Sequence, residues 1–357
     1  LEMFSLSFKE MRFFKVRYLL ISFILFFIAA LVFIINGLAN GLSMDNASSF
    51  KTMDAEAFFI SSDAELRLDR SNIEIGKTQI ESSSAKIQPA AIQMASLKGD
   101  DNQKLDVTFL AINPGSYLEP IAIEGEALNG NNSMVVDSSL KNEGLKIGDV
   151  LEDERTGAIF KVSGFAEHQT YSHTPVVFIS LDFWSGLTNG KVSFLALQEK
   201  DQLIQDKITK AADGIWAEKE KVISGIPGYE AEQNSLFMML SFLIVIAVFV
   251  LAAFFYIMTI QKKGQMGILK AIGAKTGFLI KSTLAQVLML TVISIGAAIG
   301  FTWLAGLLLP PNIPFVFDIV QIIKYAAILC MVSLFGSLIS SINIIKADPI
   351  QAMGRVE

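Results

Sequence analysis

The run Leu236-Phe-Met-Met-Leu-Ser-Phe-Leu-Ile-Val-Ile-Ala-Val-Phe-Val-Leu-Ala-Ala-Phe-Phe-Tyr-Ile-Met-Thr-Ile260 contains no charged side chain. It exceeds the roughly 20 residues a helix needs to cross a hydrocarbon core of about 30 Å, so it reads as a membrane span. Outward from it, three further apolar runs of similar length follow the same reading: Leu19 to Leu42, Ser282 to Leu309 and Ile319 to Ile345. None carries a central acidic residue. The whole chain is 52% hydrophobic and 18% charged, too apolar for a soluble protein of 357 residues. Lys9, Arg12, Lys15 and Arg17 precede the first run, which is longer than a cleaved leader's apolar region and reads as an uncleaved signal anchor.

Charge orients the spans, because short cytoplasmic segments retain Lys and Arg. No Asp or Glu occurs from Gln233 to Phe317, and within that stretch Lys262, Lys263, Lys270, Lys275 and Lys281 cluster between the second and third spans. The third and fourth spans are joined by Pro310, Pro311, Asn312 and Pro314 without a cation. The lysine loop is therefore expected in the cytoplasm and the proline loop outside. The expected layout is a cytoplasmic segment 1–18, span one at 19–42, an exterior domain at 43–234 and span two at 235–260. A cytoplasmic loop 261–281, span three at 282–309, an exterior loop 310–318, span four at 319–345 and a cytoplasmic tail 346–357 complete it.

The exterior domain holds 17 Lys and Arg against 30 Asp and Glu, net −13, and the remainder holds 12 against 5, net +7, which together give the −6 of the whole chain. A domain this acidic does not suit nucleic acid, while the basic remainder suits an anionic inner membrane face. Cys330 is the single cysteine, so the domain has no disulfide framework and must be held by its own core. Short β-rich runs alternate with turn residues over Met134 to Val136, Gly144 to Val150 and Ala158 to Gly164, pointing to a small barrel-like or sheet unit. Pro175 to Leu181 reads as a buried strand and Asp201 to Ile215 as a helix. Ser71 to Asp106 is polar and reads as looser surface structure.

Gly76-Lys77-Thr78 imitates the end of a phosphate loop, but the glycine that such a loop needs five positions earlier is Ser71. Nucleotide hydrolysis is thus expected on another subunit. The loop Gln261-Lys-Lys-Gly-Gln-Met-Gly-Ile-Leu-Lys-Ala-Ile-Gly-Ala-Lys275 reads as a short amphipathic helix whose small residues would let it seat in a groove; the blander reading is a basic helix resting on lipid headgroups. Gly296-Ala-Ala-Ile-Gly300 offers a GxxxG face for helix packing.

That loop, together with Lys346-Ala-Asp-Pro-Ile-Gln-Ala-Met353, resembles the signatures of the MacB/FtsX-like permease family of ABC transporters. Gly144 to Val150 followed by Phe160-Lys-Val-Ser-Gly164 also looks like that family's exterior domain. The resemblance implies a MacB-like architecture, four membrane helices with a large mixed α and β domain between helices one and two. It also implies a coupling helix carried by Met266, Gly267, Ile268, Leu269, Lys270, Ala271 and Gly273, a separate ABC ATPase that binds the ATP, and a homodimer with no resident cofactor. Gln265-Met266 departs from the acidic residue more usual there, which puts one polar contact to the ATPase in doubt. Asn36-Gly-Leu-Ala-Asn-Gly-Leu42, Tyr171-Ser-His-Thr174, Gly228-Tyr-Glu-Ala-Glu-Gln233 and Ala253 to Lys262 are similar to the family's heme-exporting permeases. They imply heme as the transported substrate.

Ferric iron in heme is ligated by Tyr oxygen, His nitrogen, Met sulfur or carboxylate. Residues of those types beside the spans are Met44, Met53 and Glu56 after span one and Tyr229 and Glu230 before span two; Tyr171 lies within the exterior domain between His168 and His173. The plainer reading makes the tyrosines interfacial aromatics and the methionines gap-fillers. The two histidines are five residues apart with no third ligand evident, so no metal site is expected. The competing functions are export of another amphipathic compound and a mechanotransducer of the FtsX type that activates a cell-wall hydrolase. No nucleophile, base and orienting group converge, so catalysis by this chain is not expected.

Overall fold

The computed structural model describes residues 13–74, 86–99, 104–130, 132–188, 190–310 and 313–345. The Gly76-Lys77-Thr78 and Lys346 to Met353 motifs lie outside the described residues. The chain divides into two compact units, one of residues 42–233 and one of residues 1–41 with 234–357. Helix α1 (Lys15–Thr52) carries a non-helical residue, Ala47, at φ −142°.

In the first unit, strands β1 (Ala57–Ile60), β2 (Ile73–Glu74), β3 (Ile87–Lys98), β4 (Lys104–Ile112), β5 (Ala122–Gly125), β6 (Ser133–Asp137), β7 (Val150–Asp153), β8 (Ile159–Ala166), β9 (Thr170–Tyr171) and β10 (Thr174–Ser180) precede the short helix α2 (Leu181–Thr188). Strands β11 (Lys191–Val192) and β12 (Phe194–Leu197), helix α3 (Gln202–Ala211), strand β13 (Ile215–Glu218) and helix α4 (Lys219–Ser224) follow. The main sheet runs β13-β1-β12-β3-β4-β10-β6-β8-β5, and β7 pairs with both β3 and β8. That second pairing closes β3, β4, β10, β6, β8 and β7 into a six-stranded barrel, a closure that leaves no edge among those strands for another chain to extend. The β4/β10 and β6/β8 pairs are parallel and the others antiparallel.

Alternation along the strands feeds two apolar cores, because successive side chains point to opposite faces. Ala57 and Phe59 enter one core while Phe58 and Ile60 enter the other; Met134 and Val136 are separated from Val135 in the same way. Both faces are buried, which accounts for the unbroken apolar runs in β6 and β10. Asp201 caps α3, its carboxylate accepting from the N–H groups of Leu203 and Ile204 at 3.0 and 3.4 Å. The expectation of loose structure over Ser71 to Asp106 is corrected: Ile87–Lys98 is a twelve-residue strand. Its alanines and glutamines give no β signal of their own, and its order comes from pairing with β4, β7 and β12.

The second unit contains α1 up to Gly41 and the helices α5 (Tyr229–Gln261, from Asn234), α6 (Lys263–Ala271), α7 (Thr276–Leu308) and α8 (Ile319–Ile345). Among the described residues four helices, α1, α5, α7 and α8, are long and apolar enough to cross a membrane. Ala29, Val32 and Phe33 pack with Leu240, Ala247, Ala298 and Ile322 in one core, and Tyr18, Leu25, Phe255 and Val287 in another. Buried hydroxyls return to their own helices, as Thr259 to the Phe255 carbonyl at 2.8 Å and Ser333 to that of Leu329 at 2.9 Å, which satisfies polar groups where solvent is absent. A Cβ on Gly296 or Gly300 would meet nothing within 4 Å, so that GxxxG makes no close contact among the described residues.

Candidate functional site

The polar end of α1 and the start of α5 meet in the first unit. Ser43 Oγ and Tyr229 Oη are 2.8 Å apart. Lys51 donates to the Ser43 carbonyl at 2.9 Å and to its hydroxyl, and its ammonium stands 5.4 Å from the Tyr229 ring centroid, within cation–π range. One helical turn on from Tyr229, Glu232 accepts from Asn46 Nδ2 at 3.1 Å. That Asn46 nitrogen also faces His173 Nε2 at 3.1 Å, and His173 Nδ1 lies 2.7 Å from Asp45 Oδ2. Glu232 Oε2 is 3.4 Å from His173 Nε2, so the imidazole sits between two carboxylates.

His173 owes this position to a tight hairpin. Tyr171 and Thr174 pair across β9 and β10, leaving Ser172 and His173 as a two-residue turn with φ of 51° and 62°. Such turns require positive φ at both residues and are usually built from Asn-Gly or similar pairs. Ser-His is a costlier choice, and strain of this kind collects at functional positions. The turn is tied to α1 by the Ser172 N–H, which donates to the Asn46 carbonyl at 2.7 Å. Ser49 Oγ donates to the Thr170 carbonyl at 2.7 Å, and Thr170 Oγ1 donates to that of Met44 at 3.1 Å.

The six heme-ligand candidates do not converge. Tyr229 is in the cluster just described, with Met44 contributing a backbone carbonyl, and Glu230 is exposed beside it. Met53 and Glu56 line a different cleft with Asp54, Lys200, Glu218 and Lys219. There Met53 is buried, its carbonyl accepts from Lys219 Nζ at 2.6 Å, and Glu56 accepts from the Lys200 N–H at 3.1 Å. Burial pulls the Lys219 ammonium below the usual lysine range, with Glu220 and Asp54 opposing.

Tyr171 lies in the core of the first unit. It is 0% exposed, its ring is 5.6 Å from that of Phe50, and its hydroxyl faces the Asp69 carboxylate. Burial raises its pKa, and the Asp69 carboxylate raises it further. His173, which sequence spacing passed over, is held between Asp45 of α1 and Glu232 of α5 within the first unit.

The second candidate element is α6, which lies within the unit of residues 1–41 and 234–357. Met266 packs with Leu279, Gly267 is buried, and Ile268, Leu269 and Ile272 are 49%, 40% and 79% exposed. An apolar face on a nine-residue helix, far too short to cross a bilayer, is suited to docking. The helix ends in a Schellman motif: the Ala274 N–H donates to the Leu269 carbonyl at 2.9 Å and that of Gly273 to Lys270 at 3.0 Å. Gly273 stands at φ +104°, a conformation that favours glycine. At the other end Lys262 is 1% exposed and donates to Gln286 Oε1 at 2.6 Å, which also accepts from Tyr18 Oη at 3.1 Å. The root of α6 is thereby joined to α1 and α7. Among the lysines of this loop, Lys262 looked like an ordinary surface cation in the sequence.

Comparison with known proteins is consistent along the whole chain. Residues 237–349 match the family model described as FtsX-like permease C-terminal. A protein of Staphylococcus haemolyticus strain JCSC1435 named "Putative hemin transport system permease protein HrtB" is 32% identical over 99% of this chain and 100% of its own length. One of the same name from Staphylococcus epidermidis strain ATCC 12228 is 32% identical over 98% of this chain and 99% of its own. Of solved structures, the periplasmic region of MacB from Actinobacillus actinomycetemcomitans overlays with a TM-score of 0.37 at 13% identity, covering 50% of this chain and 94% of that one.

Proposed function

Because the chain belongs to the FtsX-like permease family and matches the HrtB permeases from end to end, we propose that it is the membrane subunit of an ATP-driven exporter whose cargo is heme. The observation that carries this reading is the alignment of 99% of the chain with a protein named for hemin transport. Two copies of the chain form the working permease in the cell membrane. Both termini are cytoplasmic and residues 43–234 lie outside. ATP is hydrolysed by a separate, HrtA-like ABC ATPase that docks on the exposed Ile268, Leu269 and Ile272 of α6. Motion of α6 passes through Lys262 to Gln286 and Tyr18, and so to α7 and α1.

Heme is flat and apolar, with carboxylates on one edge, so it partitions into the bilayer and need not cross the whole membrane to be expelled. Tyr229 offers the hard oxygen that ferric iron prefers, and its ring is only partly buried. Glu230 is a second oxygen ligand beside it, and Met44, Met53 and Glu56 take part only if the first unit rearranges. An exporter must release its cargo, so resting affinity is moderate and depends on the conformational state.

The test is cellular. Deleting the gene should leave cells that grow normally without heme and stop growing at external heme concentrations the parent tolerates, with heme accumulating in their membranes. Equal heme tolerance and equal membrane heme in the two strains would remove heme as the cargo.

A further inference from the structure

A Cβ on Gly37 of α1 would come within 2.3 Å of the Phe315 ring, and one on Gly306 of α7 within 2.7 Å of the same ring. One aromatic side chain thus fills the space that two glycines on two spans leave open. The Val316 N–H donates to the Gly37 carbonyl at 3.0 Å, and a Cβ on Gly41 would lie 2.1 Å from the Pro314 carbonyl oxygen. Just beyond, Asp318 caps α8, its carboxylate accepting from the N–H groups of Val320 and Gln321 at 2.8 and 3.3 Å. The segment Pro314 to Asp318 is therefore seated on α1 and α7 and runs straight into α8.

The same spans hold to one another further along. Tyr18 Oη donates to Gln286 Oε1 at 3.1 Å, Ser294 Oγ donates to the Ser22 carbonyl at 3.0 Å, and the Phe26 and Phe301 rings are 5.5 Å apart. Ile322 and Leu329 of α8 share a core with Ala29 and Phe33 of α1 and Ala298 of α7. From Tyr18 to Gly37 these contacts cover about 28 Å of α1 at the helical rise. Parting α1 from α7 would empty the Phe315 socket and break the Val316 bond where no water replaces either, so close packing of this kind moves as a body.

Helix α5 is held differently along its length. Between Met258 and Lys262 it is bonded to all three of the others. The Met258 carbonyl accepts from Arg17 Nη2 of α1 at 2.7 Å, Thr259 Oγ1 and Ser340 Oγ of α8 are 2.8 Å apart, and Lys262 donates to Gln286 of α7 at 2.6 Å. Leu251, Phe255, Met258 and Thr259 are buried within nine residues, whereas the fifteen residues from Leu236 to Val250 bury Leu240 and Ala247. In that stretch Phe237, Phe242 and Phe249 are 68%, 62% and 71% exposed. A segment with few buried contacts is the part of a structure that moves at least cost.

We infer that α1, α7 and α8 form one rigid frame pinned by Phe315, against which the half of α5 from Leu236 to Val250 swings about a fulcrum at Met258 to Lys262. The inference rests on the reading of the chain as an ATP-driven permease and is independent of the cargo. α6 follows α5 directly, so a pull on α6 reaches the fulcrum first. The Lys262 to Gln286 bond is then the bearing through which α6 acts on the frame as a whole, and α1 does not part from α7 during the cycle.

The experiment uses the full chain with its ATPase in nanodiscs, carrying spin labels at cysteine pairs in a Cys330→Ser background. Dilution with unlabelled chain restricts the reading to distances within one copy. The pair Leu31→Cys and Val320→Cys reports α1 against α8, and Phe242→Cys and Val320→Cys reports α5 against α8; all three positions are exposed. Between the nucleotide-free and vanadate-trapped states the first distance should stay within about 1–2 Å, the scale of adjustment between packed helices, while the second changes by about 5 Å or more. Phe315→Ala should broaden the first distance in the trapped state, and Phe315→Leu, which still fills the socket, should do so less. A change in the first distance as large as in the second would overturn the inference, because α1 would then travel with α5. So would two constant distances, or an unbroadened first distance in Phe315→Ala, which would show that the ring packs without pinning. ATPase activity that the chain leaves unstimulated would remove the permease reading itself, and the inference with it.

Discussion

His173 Nδ1 lies 2.7 Å from Asp45 Oδ2, although 128 residues separate the two in sequence. The contact joins the turn of a strained hairpin to the polar end of the first long helix. It also places an imidazole within the same polar cluster as Tyr229.

The turn itself supplies the first prediction. His173 has φ of 62°, a region that Asn tolerates and β-branched residues do not. His173→Val should therefore destabilise the first unit by about 2 kcal/mol, combining backbone strain of about 1–2 kcal/mol with the lost polar contacts. His173→Asn should cost under about 1 kcal/mol, the usual scale for partly exposed polar pairs. Thermal melts of the full chain in detergent decide between them, and equal losses would show that the turn's strain is not what the side chain must accommodate.

The glycines of α1 give a second. Gly41 faces a backbone carbonyl and Gly37 the edge of a ring that can rotate. Gly41→Ala should cost about 2–3 kcal/mol, at the upper end of overpacking penalties, and Gly37→Ala clearly less. The double variant Gly37→Ala, Phe315→Leu should recover part of the Gly37→Ala loss, whereas Phe315→Leu should not rescue Gly41→Ala.

Alkaline pH probes Tyr171. Burial raises its pKa above the ordinary value near 10, and raises that of Tyr117 as well. The folded protein therefore keeps these protons while the unfolded chain, titrating near pH 10, gives them up. Their contribution is fully present below about pH 10 and is lost as pH rises beyond it, by about 1.4 kcal/mol per pH unit for each group. Tyr171→Phe should reduce that slope. An undiminished slope in the variant would place the alkaline sensitivity elsewhere.

The spans were legible because a run such as Leu236 to Ile260 admits hardly any other reading. Strand β10 was legible for a related reason, since Val176 to Ile179 is apolar on both faces. Strand β3 was hidden because Gln88, Ala90, Ala91 and Gln93 carry no β signal, and its partners are chosen by the closure of the barrel. Tyr171 and Tyr229 are equivalent as residue types, and only tertiary packing assigns one to a core and the other to a half-buried surface. His173 was passed over because local spacing offered no companion, while Asp45 and Glu232 reach it from far along the chain. Lys262 was hidden by its neighbours, being buried next to the exposed Lys263.

The α6 helix makes a prediction about coupling. Leu at the buried Gly267 should push α6 from its seat on Leu279 and reduce permease-stimulated ATPase activity about tenfold or more, as misplacement of a positioned element does. Ile272→Asp, at a side chain 79% exposed, should weaken ATPase association without changing the melting temperature. Normal stimulation in both variants would show that the ATPase docks elsewhere.

Heme titration of the purified full chain by absorption spectroscopy tests the central claim most directly, with the wild type compared with Tyr229→Phe. A saturable spectral shift near one heme per dimer, its position changed and its affinity reduced about tenfold in Tyr229→Phe, is the expected result, because the variant keeps the ring and loses only the ligating oxygen. A shift that never saturates, or one identical in the two proteins, would contradict heme recognition at Tyr229 and turn attention to another amphiphile or to a mechanotransducer of the same family.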